Sequence, residues 1–331
     1  MIHNLHIELT SKCNLNCKMC IVKRTNETLS FADYVDIIRK LKETNLNQKT
    51  AIVNVELAGH GEPLLYENIV QAIIIAKQNF KRVSLVTNGL LLTSQLAKEI
   101  LETNIDHIEI SVTGVNEEIY TKFQGYKESH MEAIFQNIKN LIRIRKELAK
   151  NTTISMSYIN SSYSKSHIKE YIKYWKERGV DRKYIHPLII DEKVVHKNKK
   201  SCYMIGQSLF IHSNGDVKMC CYDFKRNLIV GNIIHDSVEK ILSNHLVLSM
   251  IKFNKNLEFE KMPLTCRQCF NMERKTVRDG FINRKRLVYN SSKFKLKGLI
   301  WEMGIYFYEV LPPNRVLYDV LYYIKSKLNV F

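Results

Sequence analysis

The chain has 331 residues, with 50 Lys and Arg against 33 Asp and Glu and a formal charge of +17. Hydrophobic residues make up 45%, and there are only 12 glycines and five prolines. This excludes a disordered or fibrous chain and allows a real core in one large domain or two ordinary ones. No positively charged segment followed by an apolar run opens the chain, and no uninterrupted stretch reads as a membrane span. A cytoplasmic location is therefore expected, where thiols stay reduced, so the eight cysteines point to metal or redox chemistry rather than disulfides.

In chain order, residues 5–9 (LHIEL) read as a short strand that runs into a loop holding Cys13, Cys17 and Cys20. Helical spacing over 31–46 is followed by a strand at 51–57 and a well-buried helix at 68–78. A strand at 82–87, a helix at 93–102 and a strand at 107–112 come next. A basic amphipathic helix is expected at 132–150, then a strand at 152–159, a helix at 166–178 and a strand at 183–190. Strands alternating with helices imply parallel βαβ units, and six strands before residue 191 predict an incomplete (β/α)6 barrel. In parallel barrels the chemistry sits at the C-terminal strand ends. There lie the cysteine loop, Gly59-His60-Gly61-Glu62-Pro63, Thr87-Asn88-Gly89, and Ser111 to Gly114. The polar run at 191–201 reads as a linker, and 202–270 as a compact module. It carries Cys202, Cys220, Cys221, Cys266 and Cys269, with a hairpin turn at 212–216. The expected organisation is thus a barrel over 1–190, the linker, the module, and a tail over 271–331.

Cys13-x3-Cys17-x2-Cys20 supplies three thiolates from one loop, a donor set suited to iron–sulfur clusters and zinc. A structural zinc site closes at four ligands, whereas three on a four-iron cluster leave one iron open. Here the chain resembles the radical S-adenosylmethionine (SAM) enzymes, whose signature is this loop after the first strand of a partial (β/α) barrel. The resemblance implies a [4Fe-4S] cluster held by Cys13, Cys17 and Cys20, with SAM on the open iron. It also implies reductive cleavage to a 5′-deoxyadenosyl radical, and an electron donor such as flavodoxin or ferredoxin. Gly59, Gly61 and Glu62 resemble the family's glycine-rich strand end, with a carboxylate for the SAM ammonium. Asn88 and Ser111 fall where relatives line the ribose and carboxylate, and Met19 where they often place an aromatic against adenine. His60 between the glycines and Thr113 in place of a common Asp are departures.

Cys202, Cys220, Cys266 and Cys269 form a second thiolate set that suits zinc or a full cluster. With Gly215-Asp216 and Gly231-Asn232 it resembles the SPASM/twitch extensions of that family, which implies one auxiliary [4Fe-4S] cluster; a second would need more cysteines. Cys221 is left over. It reads as a small buried hydrophobe, as a ligand in place of Cys220, or as a hydrogen-atom donor of the kind radical epimerases use.

The expected activity is radical oxidation or epimerisation of a sugar, cyclitol or glycan intermediate. The alternative is maturation of a ribosomally made peptide, against which stands a first strand that starts within a few residues of Met1 and is expected to leave no leader-binding domain. A non-enzymatic zinc or iron–sulfur protein is the reading from another class. His60, His186 and Glu192 are candidate bases. The tail carries 12 Lys and Arg against five Asp and Glu and two aromatic-rich runs too short to span a bilayer. It is expected to pack on the barrel, with peripheral contact at an anionic membrane face as the other reading. Nucleic acid is not an expected partner, since no RNA-binding motif accompanies the charge.

Overall fold

The computed structural model describes residues 2–269 apart from 23, 48–49, 125–126, 161–163, 188–200, 225 and 268. Most of the expected linker, Glu192 and the whole tail lie outside the described residues. Six strands run parallel: β1 (Asn4–Ile7), β2 (Asn54–Leu57), β3 (Arg82–Thr87), β4 (His107–Ser111), β5 (Thr153–Asn160) and β6 (Arg182–Pro187). Each is paired to the next in sequence order. The connecting helices are α1 (Phe31–Leu46), α2 (Ile69–Asn79), α3 (Ser94–Glu102), α4 (Glu128–Glu147) and α5 (Ile168–Glu177). This is the incomplete parallel barrel that the alternation predicts.

Period-two patterning sets the two faces of the strands. In β3, Val83, Leu85 and Thr87 are buried while Arg82, Ser84 and Val86 are half-buried. Val55, Leu57, Val83, Leu85, Ile108 and Ile110 join one hydrophobic core with Ala72, Ile73, Ile100 and Leu101 of the helices. The alternate set is mostly polar, and some of its members pair across strands. His6 Nδ1 is 2.8 Å from Glu56 Oε1, and His107 Nε2 is 2.6 Å from Ser155 Oγ. Side-chain caps start two of the five connecting helices: in α1 Ser30 accepts from the Asp33 N–H at 3.0 Å, and in α3 Thr93 accepts from the Leu96 N–H at 3.3 Å. Trp175 and Tyr171 fix α5 against the core, both essentially fully buried.

Three features depart from expectation. Helix α4 begins at Glu128, four residues before the apolar spacing becomes regular, and a π-helical turn spans Ile119–Gln124. A third strand, β9 (Ile229–Asn232), joins β7 (Ser208–Ile211) and β8 (Asp216–Lys218) in an antiparallel meander. Most consequentially, β7 lies parallel against the free edge of β1, with His6 opposite Phe210. The sheet therefore runs β6-β5-β4-β3-β2-β1-β7-β8-β9 without a break. The cysteine module is an extension of the barrel sheet rather than a separately sheeted unit. It is completed by α6 (Val238–Leu242), α7 (His245–Lys255) and α8 (Leu264–Arg267). No helix among the described residues is long and apolar enough to cross a membrane.

Candidate active site

The first cysteine loop is pinched off at its base. The Ser11 N–H donates to Glu27 O at 2.9 Å, and the Thr10 and Thr28 hydroxyls lie 2.8 Å apart. Above this neck, the Cys20 N–H donates to Cys17 O. Two side chains outside the ligand set aim N–H groups at sulfur. Asn88 Nδ2 is 3.9 Å from Cys13 Sγ and 2.8 Å from Asn14 Oδ1; Arg24 Nη2 is 3.8 Å from Cys20 Sγ while its Nη1 holds Leu15 O at 3.0 Å. Arg24 escaped the sequence reading because nothing local separates it from neighbouring lysines. Donors to sulfur stabilise thiolate charge, so Arg24→Gln is expected to lower the first cluster's reduction potential while Arg24→Lys retains part of it. A potentiometric titration followed by EPR checks this; an unchanged potential in Arg24→Gln refutes it.

The GHGEP strand end is locked to that loop through backbone. The Glu62 N–H donates to Lys12 O at 2.8 Å, and a Cβ on Gly61 would overlap Thr10 O and Lys12 O. The Glu62 carboxylate is buried. Its Oε1 accepts from Thr87 Oγ1 at 2.6 Å and from the Leu64 N–H at 3.0 Å, and its Oε2 from the Asn88 N–H at 2.7 Å. Burial pushes its pKa up against those three donors. A carboxylate has about four acceptor positions, so one on Oε2 stays available. Glu62, Asn88 and Cys13 thus form one connected chain. Ser111 stands a strand further, its Oγ 3.2 Å from Ser157 Oγ, and Met19 is half-buried in the cysteine loop.

Burial above all, and then the charges of Cys220, Cys202 and Cys269, push the Cys266 thiol up, so the four lie near enough to feel one another. Asn254 clamps Cys202 from both sides, accepting from its N–H at 2.6 Å and donating to its carbonyl at 2.9 Å. The Tyr222 N–H points at Cys220 Sγ at 3.3 Å. Burial pushes the Cys220 thiol up to about 12, against the Tyr222 N–H, so a metal bound there would have to displace a proton. Cys221 faces elsewhere. Its Sγ is 3.7 Å from Met204 Sδ, and it feels the charges of Cys220, Lys218 and Glu56, the last an inward residue of β2. Burial raises its pKa well above the ordinary thiol value, which keeps it an S–H.

The fit of both sets to clusters rather than single ions rests on spacing. Thiolates sharing one tetrahedral zinc at about 2.3 Å lie about 3.8 Å apart. Among the described residues, the one group of three or more His, Cys, Asp and Glu ligand atoms mutually within 4.8 Å is Glu8, His60 and His212. Neither cysteine set is drawn that tight, which leaves room for a larger group. A cleft of about 640 Å³ between the end of α4 and the N-terminal ends of β5 and β6 is at the opposite end of the strands from the cysteine loop and plays no part in this arrangement.

A barrel whose first strand ends in a three-cysteine loop, extended by a four-cysteine module on the same sheet, defines a class. The radical SAM superfamily profile matches residues 7–161, and the SPASM iron–sulfur cluster-binding domain matches 202–270. The chain belongs to the radical SAM superfamily and carries a SPASM auxiliary domain, and its cofactors are a [4Fe-4S] cluster, SAM and auxiliary iron–sulfur. It is 24% identical over 306 residues to the antilisterial bacteriocin subtilosin biosynthesis protein AlbA of Bacillus subtilis, covering 80% of this chain and 66% of that one. A probable GTP 3′,8-cyclase of Methanocaldococcus jannaschii is 28% identical over 160 residues, covering 47% of this chain and 51% of that one. The chain thus spans under two thirds of the length of these curated relatives. Streptococcus suis SuiB bound to its precursor peptide SuiA shares the fold with a TM-score of 0.62 at 14% identity, over 89% of this chain and 76% of that one.

Proposed function

We propose that the protein modifies a peptide by radical hydrogen abstraction. The observation that carries this reading is the extent of likeness to the subtilosin biosynthesis protein, 80% of this chain, against 47–65% for the GTP 3′,8-cyclases. The fold shared with SuiB, whose structure holds a precursor peptide, supports it. These comparisons favour the peptide alternative over the sugar or cyclitol reading, and an early first strand is no argument against a peptide substrate.

In this reading Cys13, Cys17 and Cys20 hold the first cluster, and Cys202, Cys220, Cys266 and Cys269 one auxiliary cluster. Bound together, the first cluster and SAM supply a hydrogen-abstracting 5′-deoxyadenosyl radical. Gly59 and Gly61 bring backbone close to SAM, and Glu62 offers its free acceptor position to the ammonium. Asn88 orients Cys13, and Ser111 and Met19 line the remaining SAM surface. The His6–Glu56 and His107–Ser155 pairs make the barrel interior polar, suited to backbone amides of a bound peptide. Cys221, its Sγ 3.7 Å from Met204 Sδ and kept protonated by burial, would donate a hydrogen atom to an abstracted centre; the thiyl radical left behind would return to S–H by taking one electron, from the reductant that also supplies the clusters, and one proton.

The test uses the reconstituted full chain with dithionite, SAM and short peptides encoded beside its gene, with aminocyclitols and sugars in parallel. Peptide-stimulated 5′-deoxyadenosine and a mass change in the peptide are expected. Stimulation by a cyclitol alone would favour the second reading, oxidation or epimerisation of a small polyol; the specific ground for it is the shared fold of BtrN, whose complex holds AdoMet and 2-DOIA (TM-score 0.51, 18% identity, 82% of this chain, 93% of that one). No SAM cleavage at all would sink both. Cys221→Ala is expected to cleave SAM within about twofold of wild type while product falls at least about a hundredfold; full product formation by this variant removes the hydrogen-donor role.

A further inference from the structure

Glu8 is the acidic residue that follows β1, five positions before Cys13, and it is 3% exposed. Nothing in the cluster chemistry calls for a buried carboxylate there, yet two distant segments converge on it. From the GHGEP strand end, the His60 N–H donates to Oε2 at 2.6 Å. From the β7–β8 turn, the Ser213 N–H and Oγ donate to Oε1 at 3.3 and 3.1 Å, and His212 Nδ1 lies 3.3 Å away on the same oxygen. The rings of His60 and His212 are tilted against each other with centroids 5.1 Å apart. Phe224, four residues past Cys220, also lies against His60, their ring centroids 6.0 Å apart. Gly59 is shaped to the same group, since a Cβ there would lie 2.5 Å from Glu8 Cβ and Cγ.

We propose that Glu8 is a positioning residue that ties the GHGEP strand end to the β7–β8 turn, so that SAM binding at the barrel is coupled to the auxiliary cluster. The tie is short in chain terms at both ends. Glu8 precedes Cys13 by five residues, His60 precedes Glu62 by two, and Ser213 starts the turn into the strand that leads to Cys220. Coupling of this kind is reciprocal, so a change at the auxiliary side is felt as SAM affinity and the reverse. His60, His212 and Glu8 also have the composition of a metal site, but both Glu8 oxygens already accept protein donors, so the tie needs no ion.

The inference rests on the reading that the GHGEP strand end holds SAM. Its test uses the anaerobically reconstituted full chain, with SAM titrated against the EPR signal of the reduced first cluster. Gln in place of Glu8 keeps the shape but offers one oxygen, so its amide N–H2 must face either the His60 or the Ser213 donor. Glu8→Gln is expected to retain full iron content and raise the apparent Kd for SAM about tenfold, which is about 1.4 kcal/mol. SAM should alter the auxiliary cluster's EPR spectrum in wild type and leave it unaltered in Glu8→Gln. Ser213→Ala, which removes only the hydroxyl donor, should raise the Kd by about two- to threefold. Wild-type SAM affinity and an intact auxiliary response in both variants would overturn the tie. So would metal analysis that finds a non-iron divalent ion in wild type and none in Glu8→Gln. If wild type itself neither binds nor cleaves SAM, the reading of the strand end fails instead, before Glu8 is at issue.

Discussion

Gly61→Ala is expected to yield a chain that retains less than about a tenth of the iron of the first cluster and cleaves SAM at under about 1% of the wild-type rate. The cause is steric and local. The added methyl would overlap Thr10 O and Lys12 O and lie 2.7 Å from Ser11 C. All three are backbone atoms of the segment that leads into Cys13, so no rotamer change relieves the clash. The strand end and the cysteine loop must part, which breaks the Glu62 N–H bond to Lys12 O and shifts the thiolates relative to Glu62 and Asn88. Overpacking of this kind costs about 1–3 kcal/mol, small beside a typical total of about 5–15 kcal/mol, so the fold should survive while the site does not. Gly179→Ala is the control. Gly179 has φ +81° with its nearest neighbour 3.8 Å from the added carbon, so about 1 kcal/mol of stability is lost and SAM cleavage is retained. Iron analysis and 5′-deoxyadenosine release decide the matter; full iron and activity in Gly61→Ala would show that the close approach is dispensable.

Stability is expected to fall steeply as pH drops from 7 to 5, by about 4 kcal/mol in all. His60 and His107 are both held at about 4, chiefly by burial, against the charge of Glu8 for the first and Glu56 for the second. A histidine held low in the folded chain takes up its proton near pH 6.5 only when unfolded. Its contribution is therefore complete above pH 6.5 and is lost as pH falls through 6.5 toward 4, about 2 kcal/mol each between pH 7 and 5. Glu8 extends the trend. Its pKa is pulled down to about 2, burial being outweighed by the His212 and His60 partners, so its contribution is present above pH 4.5 and lost as pH falls toward 2. Urea midpoints at pH 7.5, 6.5 and 5.5 test the first window. His107→Asn, which keeps a donor for Ser155, should lose about half of the wild-type decline. A flat profile, or an unaltered slope in His107→Asn, would show that these rings are not held neutral.

Local chemistry in the chain announced the barrel and the two thiolate sets, and long-range pairing stayed silent. β3 alternates perfectly between buried and half-buried residues, and the spacing of Cys13, Cys17 and Cys20 names its chemistry without help from tertiary structure. The meander strand β9 is four residues long with a glycine inside it, too little for a periodic signal. The pairing of β1 with β7 joins segments about 200 residues apart, and no local pattern encodes a partner at that distance. The supporting residues hid for a related reason. Glu8 reads as one polar residue in an alternating run, His212 as a turn residue, and Asn254 as a helix residue 52 positions from the cysteine it clamps. Each acquires its role only when another segment arrives, whereas a cysteine advertises its role alone.

The strand order also has a consequence for how the protein is made. β1 is the fourth strand from one end of a nine-stranded sheet, and one of its two neighbours is β7, at residues 208–211. During synthesis it can pair with β2 early, but its other edge stays unsatisfied until nearly two thirds of the chain has left the ribosome. Non-local pairing of this kind is slow and leaves an open strand edge that recruits other chains. The loop with Cys13, Cys17 and Cys20 hangs from that same strand, and its neighbour Glu8 finds Ser213 only when β7 arrives. Iron delivered before that point meets a half-built cradle. Expression yield should therefore follow how long nascent chains wait with β1 uncovered, and slowing translation upstream of β7 should cost more soluble, loaded protein than slowing it downstream.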